Sequence, residues 1–497
     1  MKITNSALNF KSNPVSVSVG YVNDLHGQLS NMQRIHSAFR ENNYDFKFSG
    51  GDNCLGCNND MAAAVDKFMD RENFDASCLG NHEFDIDPNP LSENLANTKM
   101  KYLGANISLK EGASADAQKL KDNIDKSFII EKKGEKFGVI GLAPCDLYSR
   151  VKSPDRYSKD FEIDSFEKTV ETTQKEIDAL KAQGVDKIFL LSHIGHDYGK
   201  KLAQMTSGID VIIGGHTHEL IKDVKPNENL VYSKDNEPVV ITQAGRDGNY
   251  FGELNVSFDD KGIVTKVQNN VKSISDCQSD YISEYLFNQD LGTPETVGEI
   301  ESAPPIPENF LIEENPHANF ITDAMRFELG TDLAILNNAN IRNIFRKGPI
   351  NSRQIKEISP FSNKMVIIPL SEKNVIDALK VVSKSTVSVG NKPGLLAISG
   401  LNYKVNKQNG TLVSASYMDK DGNLTPIDIN NPNPNKILRV ALDDYCASSK
   451  KELKDLNNIA NAEKVFGFDK DKLVCDYIKH IGKPVTIDCS GRITFEG

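Results

Sequence analysis

The sequence predicts an α/β layered protein of two domains, and three observations carry that prediction. An apolar, strand-like stretch ends in a loop of Asp, Asn or His and then gives way to helical spacing, three times before Asp85. That rhythm belongs to layered α/β domains whose sites lie at the carboxyl ends of the strands. At 497 residues the chain exceeds what one hydrophobic core organises. Its texture also changes at Ala303-Pro304-Pro305-Ile306-Pro307, a Pro-rich boundary. The expected domains are 1–275 and 308–497, joined by a linker over 276–307.

Val15-Ser16-Val17-Ser18-Val19-Gly20-Tyr21-Val22 alternates as a strand and ends in Asn23-Asp24-Leu25-His26-Gly27. Met32, Ile35 and Phe39 then follow at helical spacing. The strand around Phe46 and Phe48 ends in Gly50-Gly51-Asp52-Asn53, and a helix runs from Met61 to Met69. Phe74 to Leu79 reads as a buried strand that stops at Gly80-Asn81-His82-Glu83-Phe84-Asp85. Phe128–Ile130 and Phe137–Leu142 flank the polar turn Lys132-Lys133-Gly134-Glu135, a hairpin. A helical pattern between Ser165 and Ala182 closes near Gly184. Two apolar strands then end on histidine: Ile188–Ser192 before His193, and Val211–Gly215 before His216-Thr217-His218. Strands at 239–242, 252–258 and 263–267 close the first domain. In the second, Pro316 to Leu329 reads as a helix that starts at proline and is capped by Gly330. The strand Asp332–Leu336 leads to Asn337 and Arg342.

Hydrophobic residues make up 39% and charged residues 26%, which excludes a disordered chain. A net charge of -11 without a basic run excludes a nucleic-acid polymer as partner. No stretch reaches the roughly 18 apolar residues of a membrane span. No apolar segment of a signal peptide follows Met1. The expected compartment is the cytoplasm for the chain as it stands, or outside it after loss of a leader. Of eight Cys, Cys54 and Cys57 form a CxxC pair, read as free thiols with a disulfide as the alternative for an exported protein. Redox control through that pair is a further, weaker idea.

The strand ends deliver Asp24, His26, Asp52, Asn81, His82, His193, His216 and His218, which include five of the nine His in the chain. Any one alone reads as a turn or a core histidine; together they read as a metal site. Imidazole with carboxylate and amide, and no obligatory thiolate, suits zinc, manganese or iron. Seven ligands exceed one tetrahedral ion but suit two ions that share a carboxylate, with Asp52 as the best bridge. Asp24, His26 and one of His216 and His218 complete the first ion; Asn81, His193 and the other His complete the second. Two ions roughly 3.5–4 Å apart hold a hydroxide and neutralise a phosphoryl group in an in-line displacement. His82 is left to assist the leaving oxygen, with Asp85 fixing its tautomer. The alternatives are a metal ligand for His82 and a helix N-cap for Asp85.

Asn23-Asp24-Leu25-His26-Gly27, Gly51-Asp52, Gly80-Asn81-His82-Glu83 and Gly214-Gly215-His216-Thr217-His218, in that order, resemble the calcineurin-like metallophosphoesterases. Phe84-Asp85 and Leu103-Gly104-Ala105-Asn106 resemble the 5′-nucleotidase family in particular. The resemblance implies a four-layered first domain, a central β-sandwich flanked by helices, followed by an α/β substrate-binding domain. It implies a phosphohydrolase with two divalent metal ions (zinc, manganese or both) that removes phosphate from a small-molecule nucleotide. Thr322-Asp323-Ala324-Met325-Arg326, Leu336-Asn337, Ile341-Arg342 and Pro360-Phe361-Ser362-Asn363 match the second domain of that family. Arg326 and Arg342 would then offer forked donors, Asn337 would read a base edge and Phe361 would stack on the base.

Two departures stand against that pattern. The Gly-rich turn before Ile-Arg is Asn338-Ala339-Asn340 here, and the late Gly-Gly-Asp-Gly-aromatic loop is replaced by Ala441 to Lys450. Tyr445, Phe466 and Phe468 are the candidates for a second stacking ring. Within the enzyme class the alternatives are a 2′,3′-cyclic-nucleotide phosphodiesterase/3′-nucleotidase or a nucleotide-sugar hydrolase. From another class, the altered loops point to a nucleotide-binding or surface-interaction protein with reduced turnover.

Overall fold

The computed structural model describes residues 14–497 except 56–58, 152–153, 278–280, 308, 362, 389–393, 420 and 452. The chain divides into two compact units, the first ending at Gly292 and the second starting at Thr293.

In the first unit the alternation of apolar residues builds two six-stranded sheets. One orders its strands Val264–Ser273, Tyr250–Phe258, Val15–Val22, Phe46–Ser49, Ala76–Cys78 and Lys101–Leu103. The other orders Leu230–Tyr232, Pro238–Thr242, Val211–Gly214, Ile188–Ser192, Glu135–Leu142 and Ser127–Lys132. Neighbouring residues of one strand serve different cores, as a period of two requires. Val19, Tyr21, Phe189, Leu191, Val211 and Ile213 fill the space between the sheets. Ile188, Leu190 and Ile212 instead meet Ile177, Leu180 and Leu202 from the helices Phe166–Lys181 and His196–Met205. Val22 faces outward to Met32, Ile35, Val65 and Phe68 from the helices Leu29–Glu41 and Asn59–Arg71. The layers are therefore helix, sheet, sheet, helix, the four-layered arrangement expected.

The central strands of both sheets run parallel, so their carboxyl ends share one edge. Val22 pairs with Ser49 and Ser49 with Ser77, while Gly214 pairs with Ser192. The loops after these residues leave the sheets at matching heights. That register gathers the site.

The second unit is built on a five-stranded sheet ordered Leu396–Ser399, Leu333–Asn337, Ile437–Asp443, Met365–Ser371 and Lys464–Val465. Leu333 and Ile335 face one core, Ala334 and Leu336 the other. Helix Pro316–Leu329 starts at proline, is capped by the Asn315 side chain and ends at Gly330 with φ 59°. A four-stranded sheet and a three-stranded sheet complete the unit. The stretch 276–307, expected as a linker, holds two elements. Helix Tyr281–Leu291 buries Phe287 in the first unit, and strand Thr296–Ser302 pairs with Gly348–Asn351 in the second. Among the described residues no helix is long and apolar enough to cross a membrane.

Candidate metal centre

Six of the ten described non-glycine residues with positive φ lie at this one edge: Asp24, His26, Asp52, His216, His218 and Asp247. Such conformations cost energy and persist where the surroundings impose them, typically at functional sites. The surroundings are tight. A Cβ on Gly80 would sit 2.1 Å from Asp52 Oδ1, and one on Gly215 would sit 2.5 Å from the Gly50 carbonyl. Only glycine lets these loops close on each other.

Asp24 and Asp52 lie at the centre. Asp24 Oδ1 is 3.4 Å from His218 Nε2, 3.8 Å from His193 Nε2 and 3.9 Å from His26 Nε2. Asp52 Oδ2 is 3.1 Å from His193 Nε2 and 3.6 Å from His26 Nε2, and its Oδ1 accepts the His82 amide at 2.7 Å. His216 turns Nδ1 to Asn81 Oδ1 at 3.1 Å, and its ring centroid lies 5.1 Å from that of His193. His26 packs edge-on against His82 and His218. The structure thus gathers all seven candidate ligands. His218 lies beside Asp24, and His216 beside Asn81 and His193, while Asp24 and Asp52 each face both His26 and His193 at 3.1–3.9 Å. His82 Nδ1 lies 2.6 Å from Asp85 Oδ2.

The charge balance is that of a cation site. Burial would lower the pKa of His26, but Asp247, Asp52 and Asp24 outweigh it and raise it to about 9. Burial would lower His193 as well, yet Asp52 and Asp24 raise it to about 10. Asp24 is buried too, which raises its pKa, but His218 and His193 hold it at about 2. Buried carboxylates facing buried imidazoles need compensating positive charge. His26 Nε2 and His193 Nε2 are buried, lack hydrogen-bond partners and face these carboxylates. Among the described residues three groups have ligand atoms close enough for one ion: Asp24, His26 and His218; His26, Asp52 and His82; and Asp24, Asp52 and His193. The donor set fits divalent cations of the zinc and manganese type.

Four supporting residues carry no role in the sequence reading. Asp247 Oδ1 holds His26 Nδ1 at 2.7 Å, and its amide donates to the Asp24 carbonyl at 2.6 Å. Asp146 Oδ1 lies 3.3 Å from His216 Nε2. Glu83, buried, accepts the amides of Asp52, Asn53 and Gly80 and ties two site loops together. Gln243 accepts from the Glu219 amide and donates to Gly215 and Thr217, fixing the His216–His218 loop. Asp247 and Asp146 both follow strands, Pro238–Thr242 and Glu135–Leu142, so the strand-end signal that exposed Asp24 and Asp52 also reaches them. Asn106, by contrast, exchanges two hydrogen bonds with the backbone of Ala143 and is structural. Cys54 is a buried thiol; Cys57, its expected partner, lies outside the described residues.

In the second unit the Arg342 guanidinium lies over the Phe361 ring, 5.3 Å from its centroid. Asn337 ends strand Leu333–Asn337 at the same edge, where Cys446 Sγ approaches its Oδ1 at 3.8 Å. Arg326 is not brought there. Its guanidinium packs on Gly400, which follows strand Leu396–Ser399; Ser399 pairs with Ala334 near the opposite end of Leu333–Asn337. Of the candidate second rings, Phe466 and Phe468 pack on each other with centroids 5.0 Å apart, and Tyr445 is exposed. The replaced late loop is the end of strand Ile437–Asp443 and the turn Asp444–Ala447, where the Asp443 side chain caps the Cys446 amide.

Residues 17–220 match the family described as calcineurin-like phosphoesterase, and residues 297–457 match the 5′-nucleotidase C-terminal domain. The trifunctional nucleotide phosphoesterase protein YfkN of Bacillus subtilis (strain 168) is 25% identical over 536 residues, covering 96% of this chain and 35% of that protein. The chain thus spans about a third of that relative's length. The probable 5′-nucleotidase of Treponema pallidum (strain Nichols) is 26% identical over 477 residues, covering 82% of this chain and 78% of that protein. The crystal structure of the 5′-nucleotidase precursor from Thermus thermophilus shares the fold, with a TM-score of 0.72, 24% identity and coverage of 97% of this chain and 99% of that one. Both matches fall in order along the chain, a calcineurin-like phosphoesterase domain on the four-layered unit and a 5′-nucleotidase C-terminal domain on the second α/β unit.

Proposed function

We propose that this chain is a dinuclear-metal phosphohydrolase that removes phosphate from nucleotides. One observation carries the reading: Asp52 stands within reach of both imidazole sets, 3.6 Å from His26 and 3.1 Å from His193. Asp24, His26, His218 and Asp52 would hold one divalent cation, and Asn81, His193, His216 and Asp52 the other. Cations there would neutralise the phosphoryl charge and activate an attacking water. His82, steadied at Nδ1 by Asp85, keeps Nε2 for the leaving oxygen, as a proton donor or hydrogen-bond donor. In the second unit Arg342, Phe361 and Asn337 would take the nucleoside, with Phe361 offering a ring face.

The name of the Bacillus subtilis relative, a trifunctional nucleotide phosphoesterase, supports a second reading in which more than one class of nucleotide phosphoester is cut. Phosphate release from a panel of nucleoside monophosphates, 2′,3′-cyclic nucleotides and nucleotide sugars, with added manganese or zinc, separates the two. Asp52→Asn is expected to abolish release while the far-UV circular dichroism stays unchanged. Activity that survives that change would remove the shared-carboxylate assignment.

A further inference from the structure

The imidazoles of the site are held from behind by unequal partners. Outer partners fix the tautomer and orientation of a ligating His, and losing one typically weakens metal binding about 10–100-fold. His26 Nδ1 meets Asp247 Oδ1 at 2.7 Å. The Asp247 side chain is 5% exposed, Arg246 Nε lies 3.2 Å from its other oxygen, and its carbonyl accepts from Asn31 at 2.7 Å. His193 Nδ1 meets the buried Gly50 carbonyl at 2.6 Å. His216 differs. Its Nε2 is 3.3 Å from Asp146 Oδ1, and that side chain is 39% exposed. Asp146 immediately precedes the single turn Leu147–Arg150, where Arg150 Nε reaches its other oxygen at 2.5 Å and is itself 42% exposed.

We infer that Asp146 is a positioning residue for His216, and that its exposed support makes the cation of the Asn81–His193–His216 set the exchangeable one of the pair. The inference rests on the dinuclear reading above. Asp146 keeps Nδ1 of His216 turned to Asn81 by engaging Nε2. Arg150 holds Asp146 in place, but water competes for that ion pair and screens it. In the Asp24–His26–His218 set His26 is backed by a buried carboxylate, and the His218 side chain, 27% exposed, meets the buried Asp24.

The test measures bound metal rather than turnover. Zinc- or manganese-loaded full-length protein is equilibrated against graded chelator, and the equivalents retained are counted by plasma mass spectrometry. Wild type is expected to lose its two equivalents in two separate steps. Asp146→Asn should move only the weaker step, by about 10–100-fold in free metal. Arg150→Ala, at an exposed position that leaves the fold alone, should move the same step by a smaller factor. Asp247→Asn should move the tighter step. Thermal melts of the cation-free variants report whether each still folds, and Arg150→Ala decides the matter if Asp146→Asn does not. The inference fails if both equivalents leave wild type together, if Asp146→Asn and Arg150→Ala leave both steps in place, or if either moves the tighter step. Wild type that binds no cation would overturn the dinuclear reading itself.

Discussion

Replacing Asp66 by Asn should stabilise the protein, and the gain should grow with pH. Asp66 lies on helix Asn59–Arg71, is partly buried and accepts one hydrogen bond, from the Tyr102 hydroxyl at 2.6 Å. Burial raises its pKa from 3.8 to about 7, with the nearby Asp70 adding to the rise and Tyr102 opposing it. For an acid with a raised pKa the folded state favours the proton, so stability is fully present below the unfolded pKa and is lost as pH rises toward the folded one. With 1.36 kcal/mol per unit, the penalty on folding is about 1.7 kcal/mol at pH 5 and about 4 kcal/mol at pH 8. Asn keeps an acceptor for Tyr102 and cannot ionise. Its unmatched amide protons cost about 1 kcal/mol at every pH. The stability difference between Asp66→Asn and wild type should therefore increase by about 2–3 kcal/mol from pH 5 to pH 8. Urea unfolding of both proteins at several pH values in that range measures it. A difference that stays flat with pH would show that Asp66 is ionised in the fold without penalty, and the reasoning from its burial would be wrong.

Other substitutions address the site. Asp85→Asn leaves His82 Nδ1 without its carboxylate, so kcat should fall about 10–100-fold with KM little changed; an equal rise in KM would argue that the pair binds substrate instead. Phe361→Ala should raise KM for a nucleotide about tenfold, since one stacking contact is worth roughly 1–3 kcal/mol, and leave p-nitrophenyl phosphate hydrolysis unaffected. Loss on both substrates would refute a nucleoside role for that ring. Tyr157 is fully buried, packs edge-on against Phe84 and donates its hydroxyl to the Ile86 carbonyl, which anchors the turn bearing Asp85. Tyr157→Phe should cost about 1–2 kcal/mol in urea unfolding; no change in the midpoint would mean that the Ile86 carbonyl finds another donor.

The ligand-bearing loops were legible because each follows an apolar strand and concentrates side chains that a turn does not need. Strand Val15–Val22 and helix Pro316–Leu329 form over the residues their patterns mark out, with Asn315 and Gly330 at the two ends of the helix. What stayed hidden depends on contacts distant in sequence. Strand Val264–Ser273 runs well past the expected 263–267 because Tyr250–Phe258 offers a partner through Tyr250 and Ser273, which local pattern does not announce. Asp247 acts on a histidine 221 positions away, so its place after strand Pro238–Thr242 marks a strand-end acid but not the partner it serves. Glu83 lies inside the richest motif, yet a carboxylate serving backbone amides looks like any other acid in sequence. Arg326 lies apart from the other candidate groups of the second unit. A resemblance assigned it to the substrate, whereas helix Pro316–Leu329 carries its guanidinium to Gly400, near the opposite end of the strand from Asn337.

The pairing of the first strand has a consequence for how the protein is made. Val15–Val22 lies between Phe46–Ser49 and Tyr250–Phe258, and Val15 itself is opposite Phe258. A ribosome that has released every candidate ligand through His218 has not yet released Asp247 or the strand that borders the first. The nascent chain therefore carries every candidate metal-binding group before it owns the scaffold that sets their spacing. Cation capture should come late in synthesis, and a fragment that stops before residue 247 should bind zinc or manganese weakly although it contains all seven candidate ligands.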